Sequence, residues 1–326
     1  MPTSNSRRAL LLAAAALASA EVVALACSDP PTGPQTSPPS AVAEAPGIGG
    51  RDSSSDSSSD SSSLVVRGVL LAAGDIASCA SSGDEATAAL LDGRPGTVLA
   101  IGDDAYESGT ASEFANCYGP SWGRHRERTR PVPGNHEYRS AGAAPYFAYF
   151  DTLAGPPGKG YYSFDVGAWH VVALNSSVDA TSTSTQVRWL ASDLAAHPAT
   201  CTLAYFHHPR FSSGWHGNST SMQPIWQTLY DAGADLVLSG HDHDYERFAP
   251  QSPTGVADTA RGIREFVVGT GGKNTRAFTT TRPPNSQFRD GSHFGVLELV
   301  LDSSSYAWTF LATSGAAVDT GSSHCH

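Results

Sequence analysis

The sequence predicts an α/β (α+β) protein: two mixed β-sheets packed as a sandwich and flanked by helices. Three observations predict it. Residues 69–73 and 97–101 are continuous apolar runs, the mark of strands covered on both faces. Helical patterns alternate with such runs early on, whereas the later strands follow one another with little helix between, which disfavours a purely parallel sheet. Apolar residues make up 40% of the 326, enough for a sizeable core, and 32 glycines and 21 prolines supply turns.

In chain order, residues 1–27 read as an export signal. Arg7-Arg8 form its charged start, 9–20 its apolar stretch, and Ala24-Leu25-Ala26 its cleavage site. Residues 6–11 also resemble a twin-arginine signal, and both export routes stay open. Cys27 stands where a bacterial lipoprotein carries its lipidated cysteine, although Ala24 occupies a position usually held by leucine. Lipidation and simple secretion both place the mature chain outside the cytoplasm, where disulfides persist. Once Cys27 is lipidated, Cys79, Cys117, Cys201 and Cys325 form an even set with three pairings. Cys79–Cys117 with Cys201–Cys325 is preferred; the sequence alone does not fix it. Residues 28–66, rich in Pro, Ser and Asp, have nothing to bury and read as a solvated tether. The catalytic domain is expected over 67–326.

Within that domain, Ser82 and Glu85 suggest a capping box, Leu90-Leu91 an apolar helix face and Gly93 its stop. Val187, Leu190, Ala191 and Leu194 repeat at helical spacing, as do Met222, Ile225, Trp226, Leu229 and Tyr230 before Gly233. Further strands are expected at 161–166, 169–174, 203–206, 235–238, 263–268, 296–301 and 306–311. His170 and His197 read as fold residues, and His324 and His326 as part of a frayed C-terminus.

Charge and hydropathy exclude several classes. The net charge is -11, only Lys159 and Lys273 are lysines, and no basic block tracks a polyanion, so nucleic acid is not an expected partner. No apolar run after residue 30 approaches the ~20 residues of a membrane span. Membrane contact is expected only through a lipid anchor at Cys27, and oligomeric state has no sequence signal.

The informative pattern lies in the residues directly after the strands. Residues 69–73 lead into Gly74-Asp75, and 97–101 into Gly102-Asp103-Asp104-Ala105-Tyr106. Pro131-Val132-Pro133 leads into Gly134-Asn135-His136-Glu137, 203–206 into His207-His208, and 236–238 into Gly240-His241-Asp242-His243. In α/β sheets function gathers at the carboxyl ends of strands. Five such ends deliver Asp, Asn, His or Tyr, a mixed nitrogen and oxygen donor set suited to Zn, Fe or Mn. The cysteines are badly spaced for a structural zinc site.

These five blocks resemble those of the calcineurin-like metallophosphoesterases. Tyr106, three residues after Asp103, and Tyr245-Glu246-Arg247 after the last block narrow the likeness to the purple acid phosphatase branch. The resemblance covers roughly 69–272 and lacks the N-terminal β-sandwich domain of the large plant enzymes. It implies the metallophosphoesterase fold with metals at the carboxyl ends of the strands. One metal would lie on Asp75, Asp103, Tyr106 and His243, and a second on Asp103, Asn135, His207 and His241, with Asp103 bridging. A phenolate ligand implies Fe(III) at the Tyr106 site and Fe(II), Zn(II) or Mn(II) at the other. The implied activity is a phosphomonoesterase in which two metals activate a hydroxide against a small phosphate ester. A phosphodiesterase or nucleotidase on the same site is the alternative; a non-catalytic tethered metal-binding surface protein is a third reading. His136 and His216 are the candidates for proton donor and, with His208, for phosphate contact. Glu137 and Asp244 are candidates to orient imidazoles. One departure stands out: the first block usually continues Asp-x-Gly and here reads Asp75-Ile76-Ala77. A Cys79–Cys117 bridge would hold that loop instead.

Overall fold

Side-chain alternation along the strands decides the architecture. In β7 (Trp169–Ala173) and β8 (Cys201–Tyr205), Val171, Ala173, Leu203 and Tyr205 enter one core. Their neighbours Val172 and Ala204, with Leu174 and Phe206 just beyond the strand ends, enter another. A sheet with two apolar faces must be covered twice, and it is. The computed structural model describes residues 67–279 and 281–326; the export signal, Cys27 and the 28–66 tether lie outside the described residues.

Two mixed sheets form the sandwich. The six-stranded sheet contains β1 (Gly68–Ala73), β3 (Thr97–Ile101), β5 (Thr129–Val132), β13 (Gly295–Leu301), β14 (Ser305–Ala312) and β15 (Ala317–His324). Its order is β15-β14-β13-β1-β3-β5, with β1, β3 and β5 parallel. The seven-stranded sheet adds β6 (Tyr162–Val166), β9 (Leu236–Ser239), β10 (Tyr245–Phe248), β11 (Arg264–Val268) and β12 (Ser286–Asp290) to β7 and β8. Its order is β12-β10-β11-β9-β8-β7-β6, and β7, β8, β9 and β11 run parallel. Inner faces of both sheets share one core, where Leu70 and Leu99 join Leu203, Leu236 and Phe266. On the outer face of the seven-stranded sheet, Val187, Leu190, Ile225, Trp226 and Leu229 bring in two helices, Thr185–Ala196 and Gln223–Asp231.

Helix starts differ in their chemistry. Ser184 caps its helix by accepting from the Val187 N–H at 3.1 Å. At the helix Gly83–Asp92 the expected capping box does not form, because Ser82 makes no side-chain cap bond. Ser81 takes the role: its hydroxyl accepts from Gly83 N at 3.1 Å and donates to Gly272 O at 2.8 Å. The chain end is likewise not frayed. β15 pairs along its length with β14, Cys325 is bonded to Cys201, and the His326 N–H donates to Asp235 Oδ1 at 3.0 Å. His170 is held between Asp165 and Asp193, at 3.0 and 2.9 Å.

A second disulfide, Cys79–Cys117, closes the loop after the departing Asp75-Ile76-Ala77 block. There β2 (Ala77–Ser78) pairs in parallel with β4 (Ala105–Tyr106), so that loop is fixed to the Asp103–Tyr106 loop by ladder and cross-link together. Phe114, Tyr118, Tyr146, Tyr149 and Phe150 form an aromatic cluster nearby, mostly edge to face with Phe114 and Tyr149 stacked, ring centroids 4.9–6.4 Å apart.

The Cys201–Cys325 link spans 124 residues and ties the last strand of one sheet to a central strand of the other. Cys325→Ser should therefore lower unfolding free energy by roughly 2–4 kcal/mol. Urea unfolding with and without reductant reads it; an unchanged midpoint would show that strand pairing alone holds the C-terminus.

Candidate metal centre

All five chemistry-bearing loops leave parallel strands at one edge of the sandwich, where the two sheets meet. Backbone bonds lock them together: Asp75 N donates to Gly102 O at 3.0 Å, and Gly240 N to His207 O at 3.0 Å. Side chains cross from sheet to sheet. His207 Nδ1 lies 2.9 Å from Ile101 O, and the His241 N–H donates to Asp75 Oδ2 at 2.7 Å. Such tight turns demand unusual backbone. Asp75, Asp103 and His241 all have positive φ, 59°, 52° and 71°, a cluster of left-handed residues of the kind found at functional sites. Gly102 (φ 78°) has no room for a side chain, because a Cβ would meet Gly134 N at 2.7 Å.

Four donor atoms converge at one point. Tyr106 Oη is 2.7 Å from Asp75 Oδ1, 3.0 Å from Asp103 Oδ2 and 3.4 Å from His243 Nε2, and His243 Nε2 is 3.2 Å from Asp75 Oδ1. Beside them, Asp103 Oδ2 is 3.3 Å from His207 Nε2, which is 3.2 Å from His241 Nδ1. Asp103, His207 and His241 offer donors within 4.8 Å of one another. Asn135 faces the same cleft, and its buried Oδ1 has no hydrogen-bond partner.

This donor set fits cations. A carbonyl only accepts, so His207 Nδ1 carries the proton it gives Ile101 and His243 Nδ1 the one it gives Asn274 Oδ1 at 2.9 Å. Both Nε2 lone pairs therefore face carboxylate oxygens, and the single Tyr106 hydroxyl proton faces three acceptors. Added protons or cations must lie between such groups. The edges of about 3 Å match those expected between neighbouring ligands at metal–ligand distances of about 2.1 Å.

Electrostatics agree. Burial opposes charge on Asp75 and Asp103, but His243 and His207 outweigh it and hold both carboxyls well below the usual range. Conversely, despite burial, Asp103 and Asp75 raise His207 to about 10. Burial, with His207, His208 and His216, pushes His241 down to about 2, which keeps it neutral.

Three further histidines flank the donor cluster, His208 and His216 on His241 and His136 on Tyr106. His216 stacks on His241 at 4.2 Å, holds Asp242 Oδ1 at 3.1 Å and lines the cleft. His136 also lines the cleft; its Nδ1 lies 2.7 Å from Glu107 O and its Nε2 3.8 Å from Asp103 Oδ2. His208 packs on His241 at 4.5 Å from the protein side, tied to Ser176 at 2.8 Å, and is not among the residues lining the cleft.

Glu137 and Asp244 do not orient imidazoles. Asp244 is buried and both its oxygens lack partners. Glu137, wholly buried, accepts the N–H groups of Asp103, Asp104, Ala105 and Gly134 at 2.7–3.2 Å, bracing two loops at once. Residues that no motif flagged complete the cleft: Arg139, Lys273 and Arg276 line its mouth, and Asn274 positions His243. Three of these four, all but Arg139, leave β11, a sixth strand end at the same edge. The run 263–268 followed by Gly269-Thr270-Gly271-Gly272 was its signal.

The chain belongs to the calcineurin-like phosphoesterase family, whose model matches residues 69–245. Among curated relatives it is similar to purple acid phosphatase 15 of Arabidopsis thaliana, 30% identical over 195 residues, 48% of this chain and 37% of that protein. It is also 30% identical over 224 residues to the probable purple acid phosphatase 20 of Arabidopsis thaliana, 60% of this chain and 52% of that one. The matches thus span only about a third to a half of those relatives' length. The structure of a purple acid phosphatase from yellow lupin (Lupinus luteus) seeds superimposes with a TM-score of 0.65 at 18% identity, over 78% of this chain and 53% of that one. The fold is therefore that of this family.

If Glu137 braces both loops, Glu137→Ala strands four buried N–H groups and should cost about 3–5 kcal/mol, with Glu137→Gln less severe. Thermal unfolding of the two variants checks this; equal stability of Glu137→Ala and the parent would refute the bracing role.

Proposed function

We propose that this protein is a dinuclear metal-dependent phosphoester hydrolase, a phosphomonoesterase of purple acid phosphatase type acting outside the cytoplasm. One observation carries the reading: Asp103 Oδ2 stands between two donor groups, 3.0 Å from the Tyr106 hydroxyl and 3.3 Å from His207 Nε2. Asp75, Asp103, Tyr106 and His243 would hold one metal; Asp103, Asn135, His207 and His241 the other. The phenol favours Fe(III) at the first site, with Fe(II), Zn(II) or Mn(II) at the second. Two such cations would activate a water and neutralise charge on the phosphoryl oxygens.

The chain's own groups supply the rest. His136 gives its Nδ1 proton to Glu107 O, which turns Nε2 toward the cleft as the atom able to exchange a proton with the leaving oxygen. His216 is fixed through Nδ1 by Asp242 and presents Nε2 at the opposite wall, 3.5 Å from Arg276 Nη1. Arg139, Lys273 and Arg276 make the mouth attractive to an anionic ester although the chain carries a net charge of -11. Two disulfides accord with an extracytoplasmic location; the export signal, a lipid anchor at Cys27 and the adjoining tether are proposed from the sequence alone.

The test assays p-nitrophenyl phosphate and bis-p-nitrophenyl phosphate with the purified protein, recording metal content and visible spectrum. Monoester hydrolysis and a tyrosinate-to-iron absorption band are expected. A colourless, iron-free active protein would remove the Fe(III) assignment, faster diester cleavage would make it a phosphodiesterase, and no hydrolysis after Fe/Zn, Fe/Mn or Mn reconstitution would end the enzyme reading. Asp103→Asn should lose both metal and activity. His136→Ala should keep its metal while kcat falls on the order of a hundredfold; full activity in either variant contradicts its assigned role.

A further inference from the structure

The cleft over the donor cluster measures about 250 Å³, below the roughly 300–1,000 Å³ usual for a pocket that encloses a whole ligand. An ester larger than this extends beyond the cleft. Next to it lies a second, shallower cavity of about 460 Å³ lined by Trp215, Arg276, Ala277, Phe278 and Thr279. Arg276 lines both, so the two adjoin at that side chain.

Trp215 is the unusual residue. It is 64% exposed, and Val256 is the other large hydrophobic residue exposed among the described residues. An indole left in water on a mobile loop would mean little, but this loop is pinned. The buried Asp242 accepts from the N–H of His216 at 2.7 Å and of Gly217 at 3.2 Å. Gly214 on the other side donates to Ser212 Oγ at 3.0 Å and has no space for a Cβ, which would meet Asp242 Cγ at 2.6 Å. The facing segment is tied to the same loop, because Thr279 Oγ1 donates to Gly214 O at 3.3 Å. Phe278 lies with the Arg289 guanidinium 4.7 Å from its ring centre. Arg276 is anchored to the metal centre through its N–H, which donates to His243 O at 2.8 Å.

We propose that Trp215 and Phe278 form the leaving-group subsite, and that the substrate carries a planar aromatic ring on the alcohol side of its phosphate ester. This rests on the phosphoesterase reading above. An ester with its phosphoryl group in the cleft and its alcohol part extending past Arg276 lays that part on the shelf. There an aromatic ring gains stacking on the indole and the phenyl ring, and a guanidinium at the seam adds cation–π attraction. A small polyol gains none of this. The ring can belong to an aryl alcohol or to a nucleobase, and the two differ in their distance from phosphorus.

The test compares Trp215→Ala with the parent on phenyl phosphate, adenosine 5′-monophosphate and glycerol 3-phosphate. The last two are both primary alkyl esters, so the leaving oxygens are alike and only the nucleotide carries an aromatic ring. Trp215→Ala should lower kcat/KM about tenfold on a ring-bearing ester, chiefly through KM. It should stay within about twofold on glycerol 3-phosphate, and Trp215→Phe should restore most of the loss. A loss on phenyl phosphate alone assigns an aryl ester, and a loss on the nucleotide alone a nucleoside. Equal change on all three esters, or none, overturns the subsite. Independently of turnover, phenylphosphonate should quench more tryptophan fluorescence than methylphosphonate, and the excess should vanish in Trp215→Phe. If no ester is hydrolysed, the phosphoesterase reading fails while the quenching still decides the shelf: absence of excess quenching overturns it.

Discussion

Two carboxylates, Asp75 and Asp103, are buried side by side where the sheets meet, and much of the structure answers the charge they bring. Both are almost wholly buried, and like charges so close are tolerated only if positive charge lies between or beside them. Among the described residues, no Lys or Arg bonds to either carboxylate. The chain provides imidazoles, His207 and His243, each turned by a bond at Nδ1 so that Nε2 faces a carboxylate oxygen. A permanent cation such as Arg would satisfy the charge and close the site. Histidine leaves a lone pair that a proton or a metal can occupy, so the charge demand becomes a binding capacity.

Holding that arrangement requires rigid loops, and the loops are braced by further buried carboxylates. Glu137 gathers four N–H groups from the Asp103 and Asn135 loops. Asp242 gathers those of His216 and Gly217, Glu246 the N–H and hydroxyl of Ser213, and Glu265 the N–H groups of Arg210 and Phe211. Each replaces a ladder of backbone bonds that an irregular loop cannot make for itself. Burial costs these acids dearly, as the rise of Glu137 to about 7 and of Glu265 to about 8 records. The gain is that five strand-end loops keep fixed positions at a site whose backbone, at Asp75, Asp103 and His241, is strained.

What the sequence disclosed obeys the same physics. The seven candidate ligands stood out because each lies within five residues of the end of an apolar run, and a strand that ends in Gly and a polar residue advertises its own carboxyl end. Parallel strands covered on both faces were legible for the same reason. The strands β10, β12 and β15 were not, because Glu246, Arg247, Arg289 and Asp319 interrupt any apolar alternation and take their places through ion pairs and long-range pairing. The C-terminus looked frayed although Cys201–Cys325 was the preferred pairing, because the polar β15 and the bond from His326 N to Asp235, ninety-one residues away, leave no pattern in the sequence. Glu137 looked like an imidazole partner because it follows His136, yet a short helical turn points it inward, beneath the loops. Sequence neighbours gave the donors; only the fold could give the braces.

The same distinction explains how an acidic chain can present a site for anions. Net charge describes the whole surface, whereas an approaching ester senses the field at the cleft mouth. There Arg139, Lys273 and Arg276 face one exposed carboxylate, Glu107, which pairs with Lys273 and whose carbonyl receives Arg139 Nη1 and His136 Nδ1. Glu107 therefore does not simply cancel the mouth's charge; its backbone and side chain together fix three groups around the opening. Lys273 in turn lies 4.8 Å over the Tyr106 ring, above a phenol that burial, Asp75 and Asp103 keep protonated. Any cation that draws the proton from Tyr106 must relieve those carboxylates first, so occupancy of the donor cluster and the chemistry of Tyr106 are linked through Asp103, the residue both halves of the cluster share.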